Sequence, residues 1–337
     1  MRVSSPLIAA LLSFPLSFAA TAAHASYASI DSYSTCIDGL TLTGTTASDW
    51  WYGCAPTTAG MIMAYYDTNG YNGYRYDNLI PGGTATNAFG AWPNGSLLRR
   101  AIASEGHQRD FFSAGTYGYN NNGDTDALGQ SGDDLTEGLH SFDCLADFMG
   151  TSQDQWGTSN GGTSNHYDES GARTYGYSMI ASGIGGVANL GMEDYVRYCG
   201  YNVNYTFSQY ADVFMIDNFG LNTGFTFEDY MAEIDAGRPM YLSILDPEAG
   251  GHAVMAFGYQ EEGEIIEFYN TWDEDVHTMA WDGSYDVGDY SFSLRAALGM
   301  ELAAVPEPST YAFGAGLLVL AYALRRRSKR TCNAVRR

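Results

Sequence analysis

Positive charge is scarce in this chain outside its two ends. Its 337 residues hold 16 Lys+Arg against 39 Asp+Glu, a formal net charge of −23. Half of the basic residues are Arg2 and those beyond Leu324, so the stretch between carries close to −31. Such a surface repels nucleic acid and anionic polysaccharide unless cations intervene, so no nucleic-acid partner is expected. Also missing are a GxSxG elbow, a P-loop and a paired-cysteine zinc motif. His107, His140, His166 and His277 are scattered without ligand spacing, and neither a metal nor a cofactor is expected. The polar stretch Thr116–Asp134 reads as a surface loop or an ion site, but lacks the spacing and terminal Glu of an EF-hand loop. There is no internal repeat and no clean interdomain linker. No apolar run is long either: Tyr311–Leu324 has 14 residues, short of the roughly 20 that span a bilayer.

What is present begins at the ends. Arg2, the apolar Leu7–Ala20 and the small-x-small Ala23-His24-Ala25 read as a secretory signal peptide over residues 1–25. A leader is expected over 26–46 and the main domain over 47–300. At the other end Val305-Pro306-Glu307-Pro308 precedes the short apolar run, and Arg325-Arg326-Arg327-Ser328-Lys329-Arg330 follows it. Arginines there stay on the cytoplasmic side of a membrane. Residues 305–330 resemble the PEP-CTERM sorting signal of Gram-negative bacteria, with Pro306, Glu307 and Pro308 as its motif. The resemblance implies an exosortase-type sorting enzyme as partner, transient inner-membrane contact through the tail, and release at the cell surface or outside it.

Five cysteines are present, of which Cys332 lies in the tail. Cys36, Cys54, Cys144 and Cys199 would meet an oxidising compartment. They allow two disulfides in any of three pairings, or one bridge and a thiol held back for chemistry. The expectation is a Cys144–Cys199 bridge, since both residues fall on expected helices before the sheet, with Cys54 free.

Helical pattern is expected over Ala55–Asp67, where Pro56 suits the first turn and Asn69-Gly70 stops it. Leu97–Glu105, Leu135–Phe148, Met192–Tyr198 and Thr226–Ala236 follow, the last with Asp229 completing a capping box. Met240–Leu245, Ala253–Tyr259, Ile265–Tyr269 and His277–Trp281 read as a strand meander. Helices first and strands later give an α+β class, an N-terminal helical half packed on a C-terminal antiparallel sheet.

Chemistry concentrates in three places. Gly53-Cys54-Ala55-Pro56 puts a cysteine at a helix N-terminus, where the macrodipole favours a thiolate. Gly250-Gly251-His252 puts a histidine at the start of a strand, and Asn270-Thr271-Trp272 ends the next strand. An Asn270 side-chain oxygen could fix one imidazole nitrogen, leaving the other for the cysteine proton. Cys54, His252 and Asn270, in this order and in these contexts, resemble the papain-like cysteine peptidases. Gly-Cys-Ala-Pro-Thr and Ala-Gly-Gly-His-Ala-Val resemble most closely the C39-like subgroup. The resemblance implies a papain-like fold, a peptide or protein substrate, Cys54 as nucleophile, His252 as base then acid, and Asn270 as orienter. Two departures stand out. No Gln precedes Cys54 at the expected place, so Ser48 or Trp50 would have to help the Cys54 amide hold an oxyanion. Asp273, after Trp272, is an alternative orienter. The rival reading is a degenerate fold kept as a noncatalytic matrix or adhesion protein.

In a host with the matching sorting enzyme, intact-mass measurement of surface material should show the tail removed. Surface protein that retains Leu317–Arg330 would contradict the sorting signal.

Overall fold

The computed structural model describes residues 39–82, 97–108, 141–153, 156–158, 161–305 and 322. The signal peptide, Cys36, His140, Thr116–Asp134, Pro306, Glu307, Pro308 and nearly all the tail lie outside the described residues. Among those described, no helix is long and apolar enough to cross a membrane.

In chain order the strands are β1 (Gly39–Thr41), β2 (Thr174–Tyr175), β3 (Val203–Tyr210), β4 (Met240–Asp246), β5 (Gly250–Gln260), β6 (Ile265–Tyr269), β7 (His277–Ala280), β8 (Ser284–Val287) and β9 (Tyr290–Leu302). The helices are α1 (Cys54–Asn69), α2 (Leu97–Ile102), α3 (Leu145–Phe148), α4 (Gly176–Ala181), α5 (Ala188–Tyr198), α6 (Asp212–Phe219) and α7 (Phe227–Asp235). The strands make one sheet in the order β2-β3-β9-β4-β5-β6-β7, with β1 added to β5 and β8 to β9. Every pairing between named strands is antiparallel. The α+β class stands, and β4 to β7 form the expected meander.

Four features depart from the sequence expectations. Residues 39–41, inside the expected leader, pair with Gly258–Gln260 of β5 and so belong to the sheet. The division into a helical half and a sheet half is incomplete, because α6 and α7 are interleaved with β3 and β4. The helix expected over Leu135–Phe148 shrinks, among its described residues, to one turn: Cys144 is extended (φ −139°) and serves as the N-cap of α3. Asp147 Oδ2 accepts the Asp143 and Cys144 amides there, an N-terminal arrangement that apolar spacing alone does not reveal. Strand β9, not anticipated, runs between β3 and β4. Its Ala296, Ala297 and Leu298 are all buried, so it lacks the alternation of a half-solvated strand.

Helix α1 is buried from Ala55 through Asp67, enclosed between α2 and the sheet; Gly60 stands directly against Ile102 of α2. Burial of each large apolar side chain in it contributes about 1.5–3 kcal/mol. Tyrosine supplies much of the core volume, and buried phenols need acceptors. Tyr66, Tyr76, Tyr195 and Tyr230 donate to the carbonyls of Met300, Ala303, Leu79 and Gly258. These bonds tie α1, α5 and α7 to loops and strands far away in sequence. The capping box of α7 is as expected, with Thr226 Oγ1 accepting the Asp229 amide and Asp229 accepting the Thr226 amide.

Cys144 and Cys199 are separate free thiols, which overturns the expected bridge. Both lie beside the Tyr195 phenol, which interacts electrostatically with each, and burial raises both thiol pKa values. Thiol alkylation under native conditions should therefore leave both unmodified, and denaturation should expose both to the reagent. A Cys144–Cys199 crosslink in a non-reducing peptide map would contradict this arrangement.

Candidate active site

The turn before α1 is tightly specified. Tyr52 takes φ +58° and Gly53 φ +152°. A Cβ on Gly53 would stand 2.7 Å from the Gly161 carbonyl oxygen and 2.9 Å from Pro56 Cδ, so only glycine fits. Thr57 Oγ1 donates to the Gly53 carbonyl (2.7 Å) and accepts the Trp51 amide (3.0 Å). Asp49, bonded by Arg99 at 2.5 Å, anchors the preceding segment to α2. These contacts hold Cys54, half-buried, as the first residue of α1. α1 packs on β5, and the Ala253 amide approaches the Cys54 sulfur. The thiol thus sits beside the residue that follows His252.

His252 is buried on β5. Its Nε2 lies 2.7 Å from the Asn270 backbone oxygen. A carbonyl can only accept, so Nε2 carries the proton and Nδ1 keeps its lone pair. Trp272 stacks on the ring with centroids 4.0 Å apart and planes at 13°, and Phe292 lies 6.0 Å away. Thr271, between the residue whose carbonyl accepts from His252 and the stacking tryptophan, takes φ +70°, uncommon for a β-branched residue and costing about 1–3 kcal/mol. That twist accompanies a turn that presents both the Asn270 carbonyl and the Trp272 ring to one histidine.

The expected role of the Asn270 side chain requires correction. Its Oδ1 accepts the amides of Trp272 (2.8 Å) and Asp273 (3.1 Å), and its Nδ2 donates to Asp273 (3.1 Å) and Tyr285 (2.8 Å). The side chain locks the turn while the main chain meets the imidazole. An Asn side chain readily bonds backbone groups two residues on, a competing use that spacing could not exclude. Asp273 does not reach His252; it accepts from His277 Nε2 at 2.6 Å and from the Asp275 amide. His277, read as merely scattered, belongs to this outer network, and its Nδ1 lies 3.3 Å from Tyr285 Oη.

Ser48 is fully buried; its hydroxyl donates to the Asp49 carbonyl and its amide to Met61 sulfur, on the second turn of α1. Its hydroxyl is thus engaged away from Cys54. The Trp50 ring packs where Gly161 meets Gly53, beside the turn that carries Cys54. Sequence reasoning did not find Tyr241, a buried residue of β4 whose phenol interacts electrostatically with Cys54. Its only sequence signal is a tyrosine among the apolar residues Met240, Leu242 and Ile244 of that strand.

Burial governs the resting protonation state. It raises the Cys54 pKa, against the lowering effect of the Ala253, Ala55 and Cys54 amides. It also lowers His252 from 6.5 to about 4, against the raising effect of the Asn270 carbonyl. The pair rests as thiol and neutral imidazole near pH 7, rather than as the thiolate expected from the helix N-terminus.

Residues 140–286 match the family model described as the Peptidase_C39 like family. The matched segment contains His252, Asn270 and Asp273 and begins after Cys54, Ser48 and Trp50. No curated protein matches the chain.

The histidine also makes stability pH-dependent. Between pH 6.5 and 4 the unfolded chain binds a proton at His252 that the folded chain does not, so stability falls as pH falls through that window. The shift corresponds to about 3 kcal/mol, fully lost only below the folded value. Urea unfolding at pH 7 and pH 4.5 should show a smaller acid loss for His252→Gln than for the parent protein; equal losses would contradict the buried neutral imidazole.

Proposed function

We propose that the chain is an exported cysteine peptidase of papain-like arrangement, hydrolysing peptide bonds through Cys54, His252 and Asn270. The observation that carries this reading is the meeting of a helix-borne cysteine with the strand that bears His252, where the carbonyl-bound Nε2 leaves Nδ1 as a base. The match over residues 140–286 supports it. Cys54 Sγ attacks the substrate carbonyl carbon while its proton passes to His252 Nδ1. The tetrahedral oxyanion is held by the Cys54 amide at the helix N-terminus, with the Trp50 indole as the remaining candidate donor. His252 then returns the proton to the leaving amine as the C–N bond breaks, giving a thioester. Water, deprotonated by the same nitrogen, attacks the thioester, and the proton goes back to sulfur as the acid is released. Asn270 positions the imidazole through its carbonyl, and its side chain keeps the turn in place. Asp273, through His277 and Asn270, supports that turn from outside.

Export and sorting complete this reading. The signal-peptide pattern and the PEP-CTERM-like tail support an exosortase-type partner, a brief stay at the inner membrane and delivery to the cell surface or beyond.

A second reading is favoured by particular contacts. The Ser48 hydroxyl is engaged elsewhere, no Gln replaces it, and burial holds both Cys54 and His252 neutral. A fold kept for binding, without turnover, would tolerate all of these.

A fluorogenic peptide library separates the two. A peptidase should show kcat/KM with an acid limb near pH 4, set by His252 as free-enzyme base. His252→Ala should lower the rate by roughly 10²–10⁴, Cys54→Ala should abolish it, and Asp273→Ala should cost less than Asn270→Ala. Hydrolysis that survives Cys54→Ala would overturn the mechanism. No hydrolysis, with Cys54 alkylation unchanged by His252→Ala, would favour the noncatalytic reading.

A further inference from the structure

Among the described residues, Arg295 has no counter-ion. Arg75, Arg99, Arg173, Arg197 and Arg238 each lie within ion-pair distance of a carboxylate. Arg295 meets none among the described residues, in a chain with 39 Asp+Glu. Its guanidinium instead lies among the rings of Tyr167, Tyr210 and Phe214, at 5.6, 6.0 and 5.8 Å from their centroids. Its Nε is buried with no hydrogen-bond partner. Leaving a buried donor of a charged group unpaired is costly, and cation–π contacts offset only part of that cost.

The backbone aims this side chain deliberately. Ser243 of β4 pairs with Ala296 and Ile244 with Leu294, which leaves Arg295 as the extra residue of a bulge. Bulges re-aim side chains and concentrate next to active sites. Two more polar atoms nearby are buried without partners, Asn165 Oδ1 and Tyr167 Oη. Tyr167 is only 9% exposed, and the Ser243 hydroxyl close to its phenol does not reach hydrogen-bond geometry. Asn165 lies close to the Tyr241 phenol, which interacts electrostatically with Cys54, Tyr167 and Arg295 alike.

The distance to the thiol follows from the sheet. Ala253, whose amide faces Cys54, pairs with Ser243, and Ser243 pairs with Ala296. Two strand spacings place Arg295 roughly 10 Å from Ala253. An extended peptide covers that in about three residues, and a guanidinium on its long stem shortens the gap.

We propose that Arg295, Tyr167 and Asn165 form a carboxylate-recognising pocket beside Cys54, which selects peptides bearing an acidic group within about three residues of the bond attacked. The acid is an Asp or Glu side chain or a free C-terminus. Arg295 and the Tyr167 hydroxyl donate to it, and Asn165 Oδ1 accepts a peptide N–H. The proposal rests on the peptidase reading of the same site.

Calorimetric titration of the Cys54→Ala protein tests binding without turnover. The probes are acetylated tetrapeptide amides differing only in Glu or Gln, and the Gln peptide with a free C-terminal acid. One of the acidic probes should bind at least tenfold more tightly than the Gln amide, and which one does identifies the source of the carboxylate. Arg295→Gln should erase the difference and Arg295→Lys should keep part of it. Tyr167→Phe, which preserves packing, should reduce it severalfold, and decides the matter if Arg295→Gln fails to fold. Equal binding of all three probes, or a preference that survives Arg295→Gln or Tyr167→Phe unchanged, would overturn the pocket. Hydrolysis by the parent protein, measured in parallel, separates the two claims. Cleavage without acid preference sinks the pocket alone; acid-selective binding with no cleavage of any peptide sinks the peptidase alone.

Discussion

The contact between the first turn of α1 and the start of β5 is the constraint on which the rest of the molecule depends. Helix α1 is buried along nearly its whole length, so it cannot shift without opening the core. Its N-terminus is fixed by a glycine that admits no side chain and by Thr57 bonding both flanks of the turn. The sheet strand facing it is held by β4 on one side and β6 on the other. A cysteine and a histidine separated by nearly two hundred residues thus become neighbours through rigid elements rather than loops. Sites on such elements keep their geometry better than sites on loops.

Polar groups in the interior are handled in two ways. Around the core, buried tyrosines find main-chain acceptors, as Tyr66, Tyr76, Tyr195 and Tyr230 do. Around Asn270 the network closes on itself through Asp273, His277 and Tyr285. Near Arg295 satisfaction stops, and donors and acceptors are left open within one small region. Buried polar groups are nearly always paired, so this local concentration of unpaired ones supports the proposed carboxylate pocket.

Burial also sets the chemistry of the pair. A helix N-terminus stabilises an anion, and the amides around Cys54 act in that direction, but desolvation outweighs them. The same desolvation keeps His252 neutral. The resting pair is therefore a thiol and a neutral imidazole rather than a preformed ion pair.

Much of this was legible in the residues themselves. The glycine and proline around Cys54 marked a helix start, the capping box of Thr226 and Asp229 marked another, and short apolar runs separated by turns marked β4 to β7. Order along the chain suggested that Cys54, His252 and Asn270 belong together, because local patterns report what each residue can do. The tertiary structure decided what local pattern cannot carry. It placed β9 between β3 and β4, where burial of both faces erases alternation. It kept Cys144 and Cys199 as separate thiols. It gave the Asn270 carbonyl, rather than its side chain, to His252, because the side chain is consumed in holding its own turn. It engaged Ser48 away from the thiol and left Arg295 without a carboxylate among the described residues. Each of these outcomes depends on which partners arrive from distant parts of the chain, and hydrogen bonding and desolvation are properties of that meeting.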